Sequence, residues 1–216
     1  MITPQKKILS FWQQVEQTID GLLCSESDNQ FDADSLLLEY RKSLQTIDTN
    51  LTFHFEREEG DEGDGAVEMI FGCDGYPESI SAVLSLVGAA PKIGGIRFIA
   101  FNHRYDPVPG YINLGEEVVE LNEFWFGFRV DATKLHLAVY MKELPQSFDM
   151  EPRIEAVMIY LDALIGEYDL MTRVSTLDWY ELPVDPVDFG LHPLAQLRDQ
   201  FDKVKPEINP IGLTYH

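Results

Sequence analysis

Cysteine, basic residues and long apolar runs are all scarce in this chain, and each scarcity closes off a class of function. Two cysteines in 216 residues, Cys24 and Cys73, build no disulfide framework and no cysteine metal spacing, and a reducing cytoplasm is the simplest compartment. Only 16 Lys and Arg stand against 37 Asp and Glu, a net charge of −21. Phosphate repels such a surface, so neither nucleic acid nor an anionic membrane is an expected partner. No apolar run approaches the ~20 residues that span a bilayer; clusters such as Ala82 to Ala90 are short and amphipathic. The first residues lack the basic start, apolar centre and small-residue cleavage site of a signal peptide, and read as a helix of the folded domain.

What remains is a chain that is 45% hydrophobic, long enough for one large domain or two small ones. Thr3-Pro4 suits a helix start, and Ile8, Phe11, Trp12, Val15 and Ile19 recur at helical spacing. A second helix begins near Asp32 or Asp34, with a stripe of Leu37, Tyr40, Arg41, Leu44 and Ile47. Together they predict an N-terminal helical hairpin over residues 1–49.

Beyond it one pattern occurs twice: strand, strand, helix, strand. In the first half (50–105) Leu51, Phe53 and Phe55 alternate with polar residues, and Val67 to Gly72 makes a second strand. Ile80, Val83, Leu84 and Val87 then mark a helix, and Ile96 to Phe101 reads as a central strand. In the second half (116–182) Phe124, Phe126 and Phe128 alternate, and Asp131 to Thr133 makes a turn into Leu135, Leu137, Val139 and Met141. A helix follows from Glu151-Pro152 to a glycine cap at Gly166, and then a long strand from Leu170 to Leu182. Residues 183–216 form an irregular tail with one short helix from about Pro193 to Lys203. The expected fold is therefore a single α+β domain over 1–216, a mostly antiparallel sheet from two related halves. If the N-terminal hairpin does not cover the sheet face opposite the crossover helices, that face is open for binding.

Several segments carry a resemblance. Cys73-Asp74-Gly75, Ala89-Ala90-Pro91-Lys92-Ile93 and Phe98-Ile99-Ala100-Phe101, with Leu161 to Tyr168 and the Pro-Leu-x-x-Leu of Leu191 to Leu197, resemble the motifs of an uncharacterised bacterial protein family. That resemblance covers the larger part of the chain and implies no activity. It implies only that immunity or interaction modules, suggested for some similar domains near toxin systems, are the relevant comparison.

Candidate chemistry is sparse. The acidic stretch Glu56 to Gly65 has neither the flanking helices nor the acid spacing of a calcium loop and reads as a solvated hairpin. Neither glycine-containing turn matches a phosphate loop. Cys73 reads as a buried structural thiol, and His54, His103, His136, His192 and His216 show no ligand spacing, so no metal or cofactor is expected. Asp74-Gly75 reads as a turn, and Phe124-Trp125-Phe126 as either a strand buried on both faces or an aromatic platform. The one compact group joining a base, a cation, a phenol and an acid is His103-Arg104-Tyr105-Asp106, in a loop after a strand. Glu167 sits beyond a helix C-terminus, against the dipole, which points to pairing with Arg104, Arg129 or Arg173. His103, Arg104, Asp106 and Glu167 are the candidate binding residues. The leading expectation is an acidic cytoplasmic interaction module for a basic protein. The alternative is a hydrolase-like small-molecule enzyme using His103, Arg104 and Glu167 between the halves.

Overall fold

A computed structural model describes residues 3–23, 32–57 and 67–210. The acidic stretch past Arg57, Cys24 and His216 lie outside them. The chain divides into two compact units, residues 1–101 and 102–216, where the sequence reading places one domain with a join between 105 and 116.

The N-terminal unit opens with α1 (Pro4–Leu23), which buries Ile8, Phe11, Trp12, Val15 and Ile19, the whole predicted stripe. Helix α2 (Ala33–Ile47) is capped by Asp32, whose carboxylate accepts from the Ser35 backbone N–H at 3.1 Å. It buries Leu36, Tyr40 and Leu44. Of the expected stripe, Tyr40 and Leu44 are buried and Leu37 and Ile47 half-buried; Arg41 is exposed, and Leu36 joins the core. The Tyr40 hydroxyl, 2.7 Å from Thr18 Oγ1, ties α2 to α1.

Strands β1 (Thr52–Arg57), β2 (Val67–Gly72) and β3 (Ile96–Ala100) form a sheet in the order β1-β2-β3, with α3 (Ile80–Gly88) between β2 and β3 in sequence. The β1–β2 pair is antiparallel and β2–β3 parallel. The central strand is therefore β2, whose Met69, Ile70 and Phe71 are fully buried. Strand β3 was expected at the centre. It lies at the edge, with Arg97 exposed and paired to the buried Glu68 at 2.6 Å. Period-two alternation and register put Phe53, Phe71 and Phe98 on one face. Trp12 of α1 packs on that face, its ring 5.5 Å from Phe71 and 4.7 Å from Phe98. Its indole N–H donates to the Leu86 carbonyl at 2.8 Å, so α1 also meets the end of α3. Helix α3 buries Ile80, Val83 and Leu86, and Leu84, expected inside, is exposed. Asp74 and Gly75 both take positive φ in a turn closed by Tyr76 N–H to Cys73 O at 2.9 Å, and Cys73 is buried.

The C-terminal unit contains a small hairpin, β4 (Tyr111–Leu114) with β5 (Glu117–Glu120), and a four-stranded sheet. Its strands are β6 (Trp125–Asp131), β7 (Lys134–Met141), β8 (Val174–Glu181) and the short β9 (His192–Pro193), in the order β8-β7-β6-β9. Ala132 and Thr133 turn the chain from β6 to β7 at positive φ. The parallel β7–β8 connection runs through α4 (Pro152–Ile165) and α5 (Glu167–Arg173). Residues 170–173, read from the sequence as strand, are thus the end of a helix. Phe126, Leu135, Leu137 and Val139 face a core completed by Val157, Tyr160, Leu161 and Leu164 of α4 and by Leu197 and Phe201 of α6 (Leu197–Val204).

The expected α+β class holds. The strand-strand-helix-strand order occurs in both units, each time with the second strand in the middle, antiparallel to the first and parallel to the last. Each half has its own sheet.

Candidate functional site

The residues singled out in the sequence come together in the C-terminal unit, around the end of α4. A helix leaves its last carbonyls without partners and carries partial negative charge there, so cations and donors are stabilising. Arg104 Nε donates to Ile165 O at 3.1 Å, and its two terminal nitrogens fork onto Asp202 at 2.9 and 2.7 Å. Its guanidinium also lies over the Phe201 ring, 5.7 Å from the centroid. Arg198 donates to Leu164 O at 3.2 Å, to Ala163 O at 2.9 Å and to Tyr105 O. The Tyr105 backbone N–H reaches Ala163 O at 3.0 Å. The loop from Asn102 to Asp106 is thereby stitched to the helix end.

Glu167 turns out to begin α5 rather than to trail α4. The acid therefore stands at a helix N-terminus, where negative charge is favoured. Its carboxylate accepts from Asn102 N–H at 2.8 Å, and its own N–H donates to Asn102 O at 3.0 Å. Gly166 makes the break between the helices at φ +86°, ψ 139°, a region open essentially to glycine alone. The remaining candidates do less. His103 is exposed and stacks on Tyr105, and Asp106, 92% exposed, stands 4.0 Å from Arg198. The predicted cluster exists, but Arg104 and Glu167 serve to join loop, α4, α5 and α6.

Electrostatics agree with that role. The hydrogen bonds to Asp202 raise Arg104, and the same bonds hold the Asp202 carboxyl below its ordinary value. Asp162, one turn before the helix end, is different. Burial first, and the Glu167 charge second, push its carboxyl up to about 7. Its Oδ1 is buried without a hydrogen-bond partner.

The other face of the four-stranded sheet, which the sequence reading left open for binding, offers a second site whose residues it did not assemble. Three rows cross it, set by register. Trp125, Tyr140 and Tyr180 make the first; Gly127, Ala138 and Asp178 the second; Arg129, His136 and Thr176 the third. Gly127, Arg129, His136, Ala138, Tyr140, Asp178 and Tyr180 of these rows line an open groove of about 480 Å³, bounded beyond β6 by Phe189 and Leu191. A methyl group on Gly127 would sit 3.1 Å from Leu191 Cδ2, so the glycine lets Leu191 close that side. The floor is small and the rims are large.

Tyr140 and Tyr180 stack at 5.3 Å and 27°, and burial, then the neighbouring Tyr180, raises the Tyr140 hydroxyl. Thr176 donates to Asp178 Oδ2 at 3.3 Å, and His136 Nδ1 lies 3.0 Å from the same hydroxyl. Because Thr176 has one proton, that arrangement makes His136 Nδ1 the donor to it and leaves Nε2 as acceptor. Arg129 and Asp178 have no ion pair among the described residues. Phe124 and Phe126 are fully buried, and Trp125, opposite Tyr140 on the other face, is half-buried, so the strand is not buried on both faces.

The missed signal was the alternation itself. The outward positions of β6, β7 and β8 carry Trp, Gly, His, Ala and Tyr where a merely solvated face would carry Lys and Glu. Elsewhere, His54 is paired with Glu56 at 3.3 Å, and His192 lies against Phe126. Among the described residues no group of three or more His, Cys, Asp or Glu is placed to hold a metal ion, and no helix is long and apolar enough to cross a membrane. Comparison with protein-family models, curated proteins and solved structures finds no match.

Proposed function

We propose that the chain is a non-catalytic binding module that takes a basic protein partner on the open face of its C-terminal sheet. The carrying observation is the groove: a small floor walled by stacked tyrosines and a carboxylate without an ion pair, in a chain of net charge −21. Aromatic faces and carboxylates together favour cations, and the acidity of the whole chain draws a basic partner in from a distance. An immunity-like role, in the cytoplasm, is the form that the resemblance to the uncharacterised bacterial family suggests.

The alternative, a small-molecule hydrolase, loses its first support because Arg104 and Glu167 are engaged in joining helices. Its remaining support is His136, linked through Thr176 to Asp178 with Nε2 left as an acceptor.

The test is calorimetric titration of the full chain with a lysine- and arginine-rich polypeptide at several salt concentrations. Binding is expected at low salt and to weaken as screening shortens to about 10 Å near 0.1 M. Ala138→Lys, which plants a cation on the groove floor, is expected to abolish it while leaving the circular dichroism spectrum unchanged. Binding indifferent to both salt and Ala138→Lys would sink the proposal.

A further inference from the structure

We infer, resting on the reading of the groove as a site for a basic protein, that the group it recognises is an arginine side chain, whose guanidinium stacks on Tyr180 and donates to Asp178 Oδ1. The argument begins with register. Asp178 and Tyr180 are two residues apart on β8 and so project from the same face. Tyr140 stands opposite Tyr180 and stacks with it, which gives a rigid aromatic wall rather than a single mobile ring. Ala138 stands opposite Asp178, so the space beside the wall and in front of the carboxylate is filled by nothing larger than a methyl group. Tyr180 remains 48% exposed, which leaves ring surface available.

The chemistry of that pocket discriminates between cations. Thr176 engages Asp178 Oδ2, and Oδ1 has no partner among the described residues. A carboxylate held on one oxygen and open on the other, beside an aromatic plane, suits a flat, weakly hydrated donor that can stack and hydrogen-bond at once. Guanidinium does both. An ammonium is compact and strongly hydrated, gains the charge attraction, and makes no planar stack. The third row sets the direction of entry. Arg129 lies on the far side of the Asp178 row from the tyrosines, and its charge holds an incoming cation to the tyrosine side.

The experiment compares two short peptides, glycine alternating with arginine and glycine alternating with lysine, matched in length and charge, titrated into the full chain at low salt. The arginine peptide is expected to bind roughly tenfold more tightly. Asp178→Asn and Tyr180→Leu are each expected to remove that preference, so that the two peptides bind the variant within about twofold of each other. Both positions are exposed on an edge strand, so the variants are checked for folding by circular dichroism and thermal melting. Equal binding of the two peptides overturns the guanidinium assignment and leaves the basic-partner reading standing. A preference that survives both substitutions also overturns it, because the guanidinium then sits elsewhere. No binding of either peptide overturns the basic-partner reading and this inference with it.

Discussion

Around the end of α4, every nitrogen of the Arg104 guanidinium has an acceptor, and Arg198 reaches three carbonyls. On the outer face of the same unit's sheet, His136 and Asp178 share the Thr176 hydroxyl, and Arg129, His136 and Asp178 line the groove. Both neighbourhoods contain a base, a cation and an acid within a few residues' reach. They differ in whether the backbone has already claimed those groups. The first holds structure together, because a helix end presents carbonyls that must be satisfied. The second is built on strands that bond one another through their backbones, so its side chains are not needed for that and remain available. Residue type alone does not separate the two; the hydrogen-bond accounting does.

Removing a group from the first neighbourhood should therefore cost stability and spare binding. Arg104→Met keeps the stem over Phe201 and deletes the donors. It leaves Ile165 O short of a partner and frees Asp202, while Asp169 keeps Arg173 and Lys205. A loss of about 2–3 kcal/mol is expected in urea unfolding, with peptide binding unchanged at temperatures where the variant is folded. The loss also has a pH dependence. Asp202 is lowered by Arg104, so its contribution is present above the unfolded carboxylate value and fades as pH falls through the folded one. The gap between the two proteins should narrow in acid. A deficit under about 0.5 kcal/mol would place Arg104 with ordinary surface charges.

Asp162 sharpens the contrast from the opposite direction, since here the first neighbourhood contains a flaw. Its folded value of about 7 lies above the ordinary aspartate value of 3.8. A raised acid binds more protons in the folded state, so the cost is absent below the unfolded value and grows until pH passes the folded one. Asp162→Asn keeps the shape and removes the charge. It should stabilise the protein by on the order of 1–2 kcal/mol at pH 8, a figure reduced for partial exposure, and change it little at pH 4. Equal effects at both pH values would mean that charge is not the cause. Melting curves across that range decide it.

The comparison also explains what could be read from the sequence. Apolar spacing located both strand-strand-helix-strand halves and the whole buried face of α1, because burial of one helix face is a local property. It misplaced β3, because a continuous apolar run does not say which strands adjoin; β2, interrupted by Glu68, is the central one. It found Arg104 and Glu167 as unusual but not their purpose. Arg104 meets Ile165 and Asp202 across 61 and 98 residues of chain, and no spacing rule reaches that far. The helix α5 was legible in principle. Glu167 and Asp169 in its first turn, Arg173 in its last and the i,i+4 bond between Asp169 and Arg173 are helix signals. The groove was half legible. Alternation gives each strand's outward residues, but only the order β8-β7-β6 aligns Asp178 with Ala138 and Gly127.

The smallest expected effect is the one that tests the comparison most directly. Thr176→Val removes the hydroxyl between His136 and Asp178 on an exposed, partly polar face, and valine suits a strand at least as well as threonine. Stability should stay within about 0.5 kcal/mol of the parent, because both former partners regain water. The same substitution frees Asp178 Oδ2 and with it a second acceptor for an incoming cation. If the groove's side chains are available as argued, peptide binding should hold or strengthen slightly. A loss of stability comparable to that of Arg104→Met would mean that the His136–Thr176–Asp178 row also holds the sheet together, and the distinction between the two neighbourhoods would fail.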